Sequence, residues 1–318
     1  MSAPLARFVG SAEYCYANAA SMLLASIGET VEPALIECMT AVGAGARQWR
    51  HDGMIYFGIV PPDIGLANAF RALGFTVHEQ AFEADGPFPV ETLRGEVDNG
   101  PVLIGPLDAR HLTYLPGHAS LGGVDHYVLV TGFEDPESVR LHDPKGYPNV
   151  RLGVEDLAAA WRGQDIGYAR GAFRFWSRPS RSETVSRRDL IERCVDAFRK
   201  AYELEADVPG ERVRVGKEAF EGAAKILPGE EGSALAGMLV AFGFPLGARR
   251  SHDLAVLLQD DYAELSAVKL EQSLAFVDGY RHLVDGDRTS AARSVMRIGE
   301  LDEAFRARLS AHSTGQGR

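Results

Sequence analysis

The 318-residue sequence has only three cysteines, and none of them belongs to a C-x-x-C pair. Cysteine pairs at that spacing are typical of zinc ribbons and redox motifs, so neither is indicated. Few, widely spaced cysteines favour a reducing compartment, and we expect a cytoplasmic protein. The N-terminus lacks the apolar run and cleavage site of a signal peptide. No apolar run approaches the roughly 18 residues of a spanning helix, so we expect no membrane partner.

Basic residues are also scarce, since 33 Lys and Arg stand against 44 Asp and Glu for a net charge of -11. Nucleic-acid binding needs a basic surface that contacts phosphates, so we expect no nucleic-acid partner. The acidic excess lies mainly in the first 180 residues, which favours a small cationic ligand there. The candidates for a basic patch that could dock an acidic carrier protein are Arg187, Arg188, Arg249 and Arg250.

The polar stretch 177–186, SRPSRSETVS, separates two regions of different composition. It has no apolar periodicity, so it predicts a linker or a surface excursion. We therefore expect one domain over residues 1–180 and a second over residues 181–318.

The first region is predicted to contain helices followed mainly by strands. Runs that end at glycines predict helices over 15–27, 33–42 and 63–73. β-branched and aromatic runs predict strands over 75–82, 101–107, 126–133, 138–144 and 173–177, with a short helix over 154–163. The turn EDPE at 134–137 allows only antiparallel pairing of the strands on either side. The pattern is typical of an α+β domain with an antiparallel sheet.

The second region carries apolar residues at helical spacing almost throughout. Helices are expected over 188–204, 217–227, 231–244, 251–285 and 289–309, the fourth with a break near Leu265 or Phe276. We therefore expect an all-helical C-terminal domain.

Cys15 is predicted to lie in the first turn of the first helix. The positive end of the helix dipole stabilises a thiolate at that position, which suits a nucleophile. The position alone fits a small buried apolar residue equally well, because free cysteine is among the most buried residue types. Cys38 lies within a predicted apolar helix and Cys194 within the helical region, so both are predicted to be structural.

A cysteine nucleophile needs a base, and the base needs a group that orients it. His126 opens a predicted strand and Asp143 ends the next one. Pairing through the EDPE turn would bring the start of the first strand beside the end of the second. The sequence therefore predicts a triad of Cys15, His126 and Asp143. Taken singly, His126 also fits a strand-edge histidine, and Asp143 fits an Asp-Pro turn.

A helix-borne cysteine, a strand-borne histidine and an Asp-Pro motif in this order are typical of papain-like folds. The opening SAEYCYANAASMLLASIGETV and the run from Gly100 to Gly163 resemble the N-terminal domain of the butirosin biosynthesis protein H family. The segments VGKEAFEGAAKIL and LGARRSHDLAVLLQDDYAELSAVKLEQ are similar to the helical domain that commonly follows in this family. The resemblance therefore covers nearly the whole chain.

The resemblance implies a papain-like cysteine acyltransferase of antibiotic biosynthesis. In the founding member, an acyl group passes from a carrier-protein thioester through an acyl-cysteine to an amine on an aminoglycoside. Carried over, Cys15 attacks a thioester on a carrier protein or CoA, His126 shuttles the proton and Asp143 orients His126. The acceptor would be an amine or a hydroxyl. We expect no cofactor and no metal ion, because no pair of candidate ligands has metal-type spacing.

The sequence departs from papain-like peptidases ahead of the cysteine. Those enzymes place a glutamine that helps to bind the oxyanion where Val9 stands here, and no glutamine precedes Cys15. The backbone N–H of Cys15 can supply one oxyanion donor, with Glu13 and Asn18 as nearby polar candidates. The missing glutamine also leaves open a non-catalytic binding protein on the same fold.

The loop ahead of the His126 strand carries Asp108, His118 and Asp125, which are candidates for binding a cationic acceptor. All three could equally be solvated surface residues with no ligand. With water as the final acceptor, the same triad would make a thioesterase or a peptidase. The sequence does not separate transfer from hydrolysis, because the difference lies in how well the cleft excludes water.

Overall fold

The computed structural model describes residues 14–207 and 210–313. The chain folds into two compact units, and each is assembled from two stretches of sequence. The first comprises Met1–Ile36 and Ala69–Thr184, and the second comprises Glu37–Asn68 and Val185–Arg318. The predicted boundary near residue 180 is close to the end of the first unit. Residues 37–68, however, group with the second unit and not, as the predicted boundary implied, with the first.

Helices and strands alternate along the first half of the chain, and helices dominate the second half. In chain order they are α1 (Cys15–Ala25), α2 (Pro33–Thr40), β1 (Arg47–Trp49), β2 (Ile55–Tyr56), α3 (Pro62–Ala72), β3 (Phe75–Phe82), α4 (Val90–Val97), β4 (Val102–Asp108), β5 (Asp125–Asp135), β6 (Ser138–Asp143), β7 (Tyr147–Gly153), α5 (Val154–Arg162), β8 (Ala172–Arg181), α6 (Arg187–Glu203), β9 (Val213–Val215), α7 (Gly216–Ile226), α8 (Ser233–Met238), α9 (Phe244–Leu258), α10 (Ala263–Val284) and α11 (Arg288–Ser313).

The first unit is built on a six-stranded sheet with the order β3-β8-β4-β5-β6-β7. Every neighbouring pair in this sheet is antiparallel. Strands β5 and β6 meet at the predicted turn, where Asp135 pairs with Ser138. The prediction of an α+β fold with an antiparallel sheet is confirmed.

Alternate residues of β5 pack in two different environments. The Tyr127 ring contacts Tyr16 of α1 edge-on, with the centroids 5.7 Å apart. Val128 and Val130 instead join the apolar cluster that contains Trp161 of α5. Successive strand residues point to opposite faces, so the sheet carries helices on both sides. This packing fixes the start of β5 relative to the start of α1.

The stretch predicted as a linker is partly strand, because residues 177–181 complete β8. Ser177 donates a hydrogen bond of 2.7 Å to Glu96 of α4, and the Arg178 guanidinium pairs with the same carboxylate. Thr76 and Ser180 face each other across β3 and β8. The polar side chains are therefore satisfied within the first unit, and the linker prediction is wrong for these residues.

The C-terminal part of the second unit is helical, as predicted, and α9 and α10 are separated at residues 259–262, close to the expected break at Leu265. It also contributes the short strand β9, which pairs with β1 in a sheet of order β2-β1-β9. The Phe57 ring stacks on Phe220 and on Phe244 and meets Phe276 edge-on. These contacts explain why residues 37–68 belong to the helical unit.

The helical stretch Glu230–Leu258 is long and apolar enough to span a membrane by length and composition alone. It has 29 residues, and the mean hydropathy of its most apolar window is 1.3. This stretch departs from the expectation that no apolar run approaches the roughly 18 residues of a spanning helix. Buried core helices pass the same test, so a single stretch of this kind is weak support for a membrane span.

Candidate active site

Cys15 is the first residue of α1, and its side chain is buried, with 8% of the residue exposed. The first N–H groups of a helix have no acceptor within the helix, and their partial positive charge favours an anion. Cys15 therefore lies at the positive end of the α1 dipole, as the sequence predicts.

His126 and Asp143 contact each other directly. The His126 Nε2 atom lies 2.7 Å from Asp143 Oδ1, and both residues are buried. The register of β5 and β6 explains the contact, since Leu129 pairs with His142. Continuing that register by one residue places Val128 opposite Asp143, so His126 becomes its diagonal neighbour. Diagonal pairs on one face lie within reach of long side chains.

The Asp143 carboxylate accepts three hydrogen bonds. Besides His126, the backbone N–H of Lys145 donates to Oδ1 at 2.7 Å, and the Tyr114 hydroxyl donates to Oδ2 at 2.8 Å. Burial alone would raise the pKa of Asp143. The charge of His126 and these three hydrogen bonds hold the pKa below its usual range. Asp143 is therefore a fixed anion beside the imidazole.

His126 is held in its protonated form. Burial lowers the pKa of the imidazole, but the charge and hydrogen bond of Asp143, together with the hydrogen bond and charge of Cys15, raise it to about 10. Because Nε2 is bonded to Asp143, Nδ1 is the nitrogen left for the Cys15 side chain. The structure thus brings the three predicted residues into one hydrogen-bonded series.

A β-bulge shapes the sheet beside His126. The register of β4 and β5 shifts between Ile104 and Leu107, and Leu107 pairs with His126. Gly105 lies in this bulge, where a Cβ atom would sit 2.3 Å from the Tyr127 ring. Bulges commonly re-aim side chains next to functional sites. The strand start that carries His126 therefore depends on a glycine on its neighbour.

The proposed acceptor-binding residues lie beside the start of β5, and their hydrogen bonds are made to nearby protein groups. Asp108 is buried, and its carboxylate accepts the N–H groups of Arg110 at 3.0 Å and Gly123 at 3.3 Å. His118 Nδ1 lies 2.6 Å from the Arg110 carbonyl. Asp125 accepts the Tyr168 hydroxyl at 2.6 Å. Their observed role is to hold the loop, and substrate binding stays a prediction.

The oxyanion candidates are only partly within the described residues. Glu13 and Val9 lie outside them. The Asn18 amide donates a hydrogen bond of 2.8 Å to the Tyr14 carbonyl, and Asn18 is buried. Asn18 therefore braces the backbone that leads into Cys15, whose own N–H stays the predicted oxyanion donor.

The four arginines considered as a basic patch are all paired with carboxylates. The pairs are Arg187 with Asp260, Arg188 with Glu192, Arg249 with Asp253 and Arg250 with Glu37. Paired charges attract an acidic partner less strongly than free ones, so these ion pairs do not favour a docking patch, which stays a prediction.

The other two cysteines are buried in the second unit. The Cys194 thiol donates to the Cys38 carbonyl at 3.4 Å. Burial raises the pKa of both thiols, which keeps them protonated and unreactive. Among the residues that the structure describes, no group of three His, Cys, Asp or Glu side chains could hold a metal ion.

Sequence reasoning missed the hydroxyl that supports Asp143. Tyr114 comes from the loop between β4 and β5, 29 residues before Asp143 in the chain. Its surroundings, HLTYLP, carry neither strand nor helix periodicity. No local signal pointed to it, because the contact arises only when the loop folds over the end of β6.

The fold and the site together define an α+β protein with a Cys–His–Asp constellation at a helix N-terminus. Residues 209–310 match the family described as the YobF C-terminal domain. The chain is also 34% identical over 309 residues to the uncharacterized protein YobF of Bacillus subtilis (strain 168), covering 95% of this chain and 97% of that protein. The chain belongs to the YobF family.

Proposed function

We propose that the protein is a cysteine-dependent acyltransferase that works through an acyl-Cys15 intermediate. The observation that carries the proposal is the series from Cys15 through His126 to Asp143, in which a buried carboxylate holds the imidazole in one orientation. A nucleophile, a base and an orienting group in this relation are the requirements for covalent acyl transfer.

The first half-reaction forms the acyl-enzyme. The Cys15 thiolate attacks the carbonyl carbon of a thioester, and a new S–C bond forms as the carbonyl oxygen takes up negative charge. The C–S bond to the leaving thiolate then breaks, and the His126 imidazolium protonates that thiolate. The backbone N–H of Cys15, the first residue of α1, would donate to the oxyanion.

The second half-reaction restores the enzyme. A neutral amine or a hydroxyl of the acceptor attacks the acyl-Cys15 carbonyl, and neutral His126 accepts its proton. The bond between the carbonyl carbon and the Cys15 sulfur breaks, which gives an amide or ester and regenerates the thiolate beside imidazolium. Asp143 stabilises His126 whenever it carries the proton.

The resemblance to the butirosin biosynthesis protein H family supports a thioester donor on a carrier protein or CoA, an acceptor of secondary metabolism and a papain-like catalytic domain. The acidic balance of the first 180 residues favours a cationic acceptor. A cytoplasmic location is part of the proposal, since all three cysteines are free thiols.

Turnover with and without an acceptor tests this function. The protein is incubated with an acyl-CoA thioester, with and without a polyamine, while thiol release and amide formation are followed. We expect amide product from the wild type and none from Cys15→Ala, with Cys194→Ala as the matched control that keeps activity. Thiol release at equal rates in the wild type and Cys15→Ala contradicts the proposal. Release that depends on Cys15 but yields only free acid identifies a hydrolase instead.

A further inference from the structure

The hydroxyl of Tyr168, in the loop between α5 and β8, joins two residues of β5. It donates a hydrogen bond of 2.6 Å to Asp125 Oδ2, and its oxygen lies 3.1 Å from the Tyr127 hydroxyl oxygen. A phenol has one proton, which Tyr168 gives to Asp125, so the Tyr127 hydroxyl is the donor to Tyr168. One side chain from a distant loop therefore ties Asp125 to Tyr127.

The two tied residues flank His126 in β5. Alternate side chains of a strand point to the same face, which lets one hydroxyl reach both Asp125 and Tyr127. The bridge through Tyr168 thus spans the residue that carries the imidazole. Burial and the charge of Asp125 raise the pKa of Tyr168, which keeps its hydroxyl protonated as a donor.

The Tyr127 ring is the point at which the start of β5 contacts the start of α1. The ring meets Tyr16 edge-on and packs on the backbone of Gly105 in β4. Tyr16 follows Cys15 and Tyr127 follows His126, so this ring contact is next to the pair formed by Cys15 and His126 along both elements. A shift of the Tyr127 ring would therefore move His126 relative to Cys15.

We propose that Tyr168 is a positioning residue, which holds the start of β5 so that the His126 imidazole stays aligned with the Cys15 thiol. The inference rests on the proposed function and adds a residue that acts through His126. Tyr168 restrains both neighbours of His126, and a displacement of about 1 Å at a reacting group can lower a rate roughly 10²-fold. The hydrogen bond to the Asp125 carboxylate makes the restraint strong, because bonds to charged groups are stronger than neutral ones.

Alkylation of Cys15 by iodoacetamide measures this alignment without a substrate. We expect Tyr168→Phe, which keeps the ring, to slow alkylation at neutral pH about tenfold. Tyr147→Phe is the matched control and should react at the wild-type rate. The rates of the wild type and Tyr168→Phe should converge above about pH 10, where a thiol ionises without help from an imidazolium. A change that merely opened or closed access to Cys15 would instead persist at high pH.

Replacement of Asp125 supplies a second pair of variants. Asp125→Asn keeps an oxygen that accepts from Tyr168, so its Cys15 should alkylate faster at neutral pH than that of Asp125→Ala. Urea unfolding of each variant separates this effect from a loss of stability. A reactive wild-type thiol whose rate and pH profile are unchanged in Tyr168→Phe overturns the positioning role alone. A wild-type Cys15 no more reactive at neutral pH than a free thiol overturns both this role and the proposed function.

Discussion

Each unit of the molecule buries a cation beside a carboxylate: His126 with Asp143 in the first unit and Lys269 with Asp302 in the second. The first pair is 2.7 Å apart and the second is 3.9 Å apart. In both pairs each side chain is less than a tenth exposed. The pKa shifts of the two cations nevertheless have opposite directions, since that of His126 is raised and that of Lys269 is lowered to about 8.

The difference lies in how each carboxylate is bonded. Both Asp143 oxygens accept hydrogen bonds, three in all. Asp302 accepts the Tyr202 hydroxyl on Oδ1, and its Oδ2 is buried without a hydrogen-bond partner among the described residues. Lys269 donates to Gln272 at 2.8 Å and lies 4.2 Å from the centre of the Phe305 ring. Close contact with a well-bonded anion therefore outweighs burial at His126, whereas burial prevails at Lys269.

Replacing the imidazole should have the largest effect. In the proposed mechanism His126 exchanges protons with the leaving thiol and the acceptor, so the rate of acyl transfer should fall about 10²- to 10⁴-fold in His126→Ala. Lys269→Met is the control from the second pair and should leave the rate unchanged. Steady-state rates with an acyl-CoA and a polyamine give the answer. Equal losses of rate in the two variants would show that the His126 pair has no special role in the reaction.

Removing the Asp302 carboxylate should chiefly affect stability. Asp302→Ala leaves the Lys269 ammonium buried with Gln272 as its main polar partner, and breaking a buried pair from one side costs about 3 to 5 kcal/mol. Replacing both members, with Lys269→Met and Asp302→Leu, should cost less than the single change. Urea unfolding at neutral pH measures both free energies. A single variant as stable as the wild type would show that Asp302 does not stabilise Lys269.

The two pairs should also respond oppositely to pH. The pKa of His126 is raised from 6.5 to about 10 on folding, so its stabilisation is full below pH 6.5 and is lost as pH rises toward 10. The pKa of Lys269 is lowered from 10.5 to about 8, so the unfolded chain holds the proton more tightly. The cost of burying Lys269 is therefore relieved as pH rises from 8 to 10.5.

The pH dependence of each group is isolated by subtracting the unfolding free energy of a variant that lacks the group from that of the wild type. The unfolding free energy of the wild type minus that of His126→Gln should fall with rising pH. The unfolding free energy of the wild type minus that of Lys269→Met should rise. Each slope should be at most about 1.4 kcal/mol per pH unit. Slopes of the same sign would contradict the comparison.

The smallest expected change concerns Tyr114. Tyr114→Phe removes one of the three hydrogen bonds to Asp143 while keeping the ring that packs on Tyr147. A hydrogen bond to a charged group contributes about 1.5 kcal/mol, so the rate should fall roughly tenfold. The lost bond should also raise the pKa of Asp143 and shift the acid limb of the pH–rate profile upward. Tyr147→Phe is the control, and an unchanged profile in both variants would exclude a positioning role.

The contacts of Cys15, His126 and Asp143 could be predicted because they depend on short-range features. Cys15 opens a helix that its Ala, Leu and Met residues predict clearly. The short turn between β5 and β6 pairs the two strands, which brings the start of β5, with His126, beside the end of β6, with Asp143. The same short turn predicted antiparallel pairing of these strands. The α+β class needed no long-range information, since strand-like and helix-like runs were already separated along the chain.

What could not be predicted depends on contacts between distant residues. Residues 37–68 belong to the second unit because β1 pairs with β9, more than 160 residues away, and such pairing leaves no local signal. Asp108 looked like a free charge, but its carboxylate binds two backbone N–H groups of its own loop. Lys269 lies on the buried face of α10, where its ammonium donates to Gln272 and lies near Asp302 of α11. Only the folded contacts reveal these roles.

Mapping the acyl group after incubation with a radiolabelled acyl-CoA tests the central claim most directly. We predict one label per chain, recovered on the peptide that contains Cys15, and no label on the Cys38 or Cys194 peptides. The label should be absent from Cys15→Ala and should accumulate slowly in His126→Ala. Label on another residue, or the same labelling in the wild type and Cys15→Ala, would contradict the account.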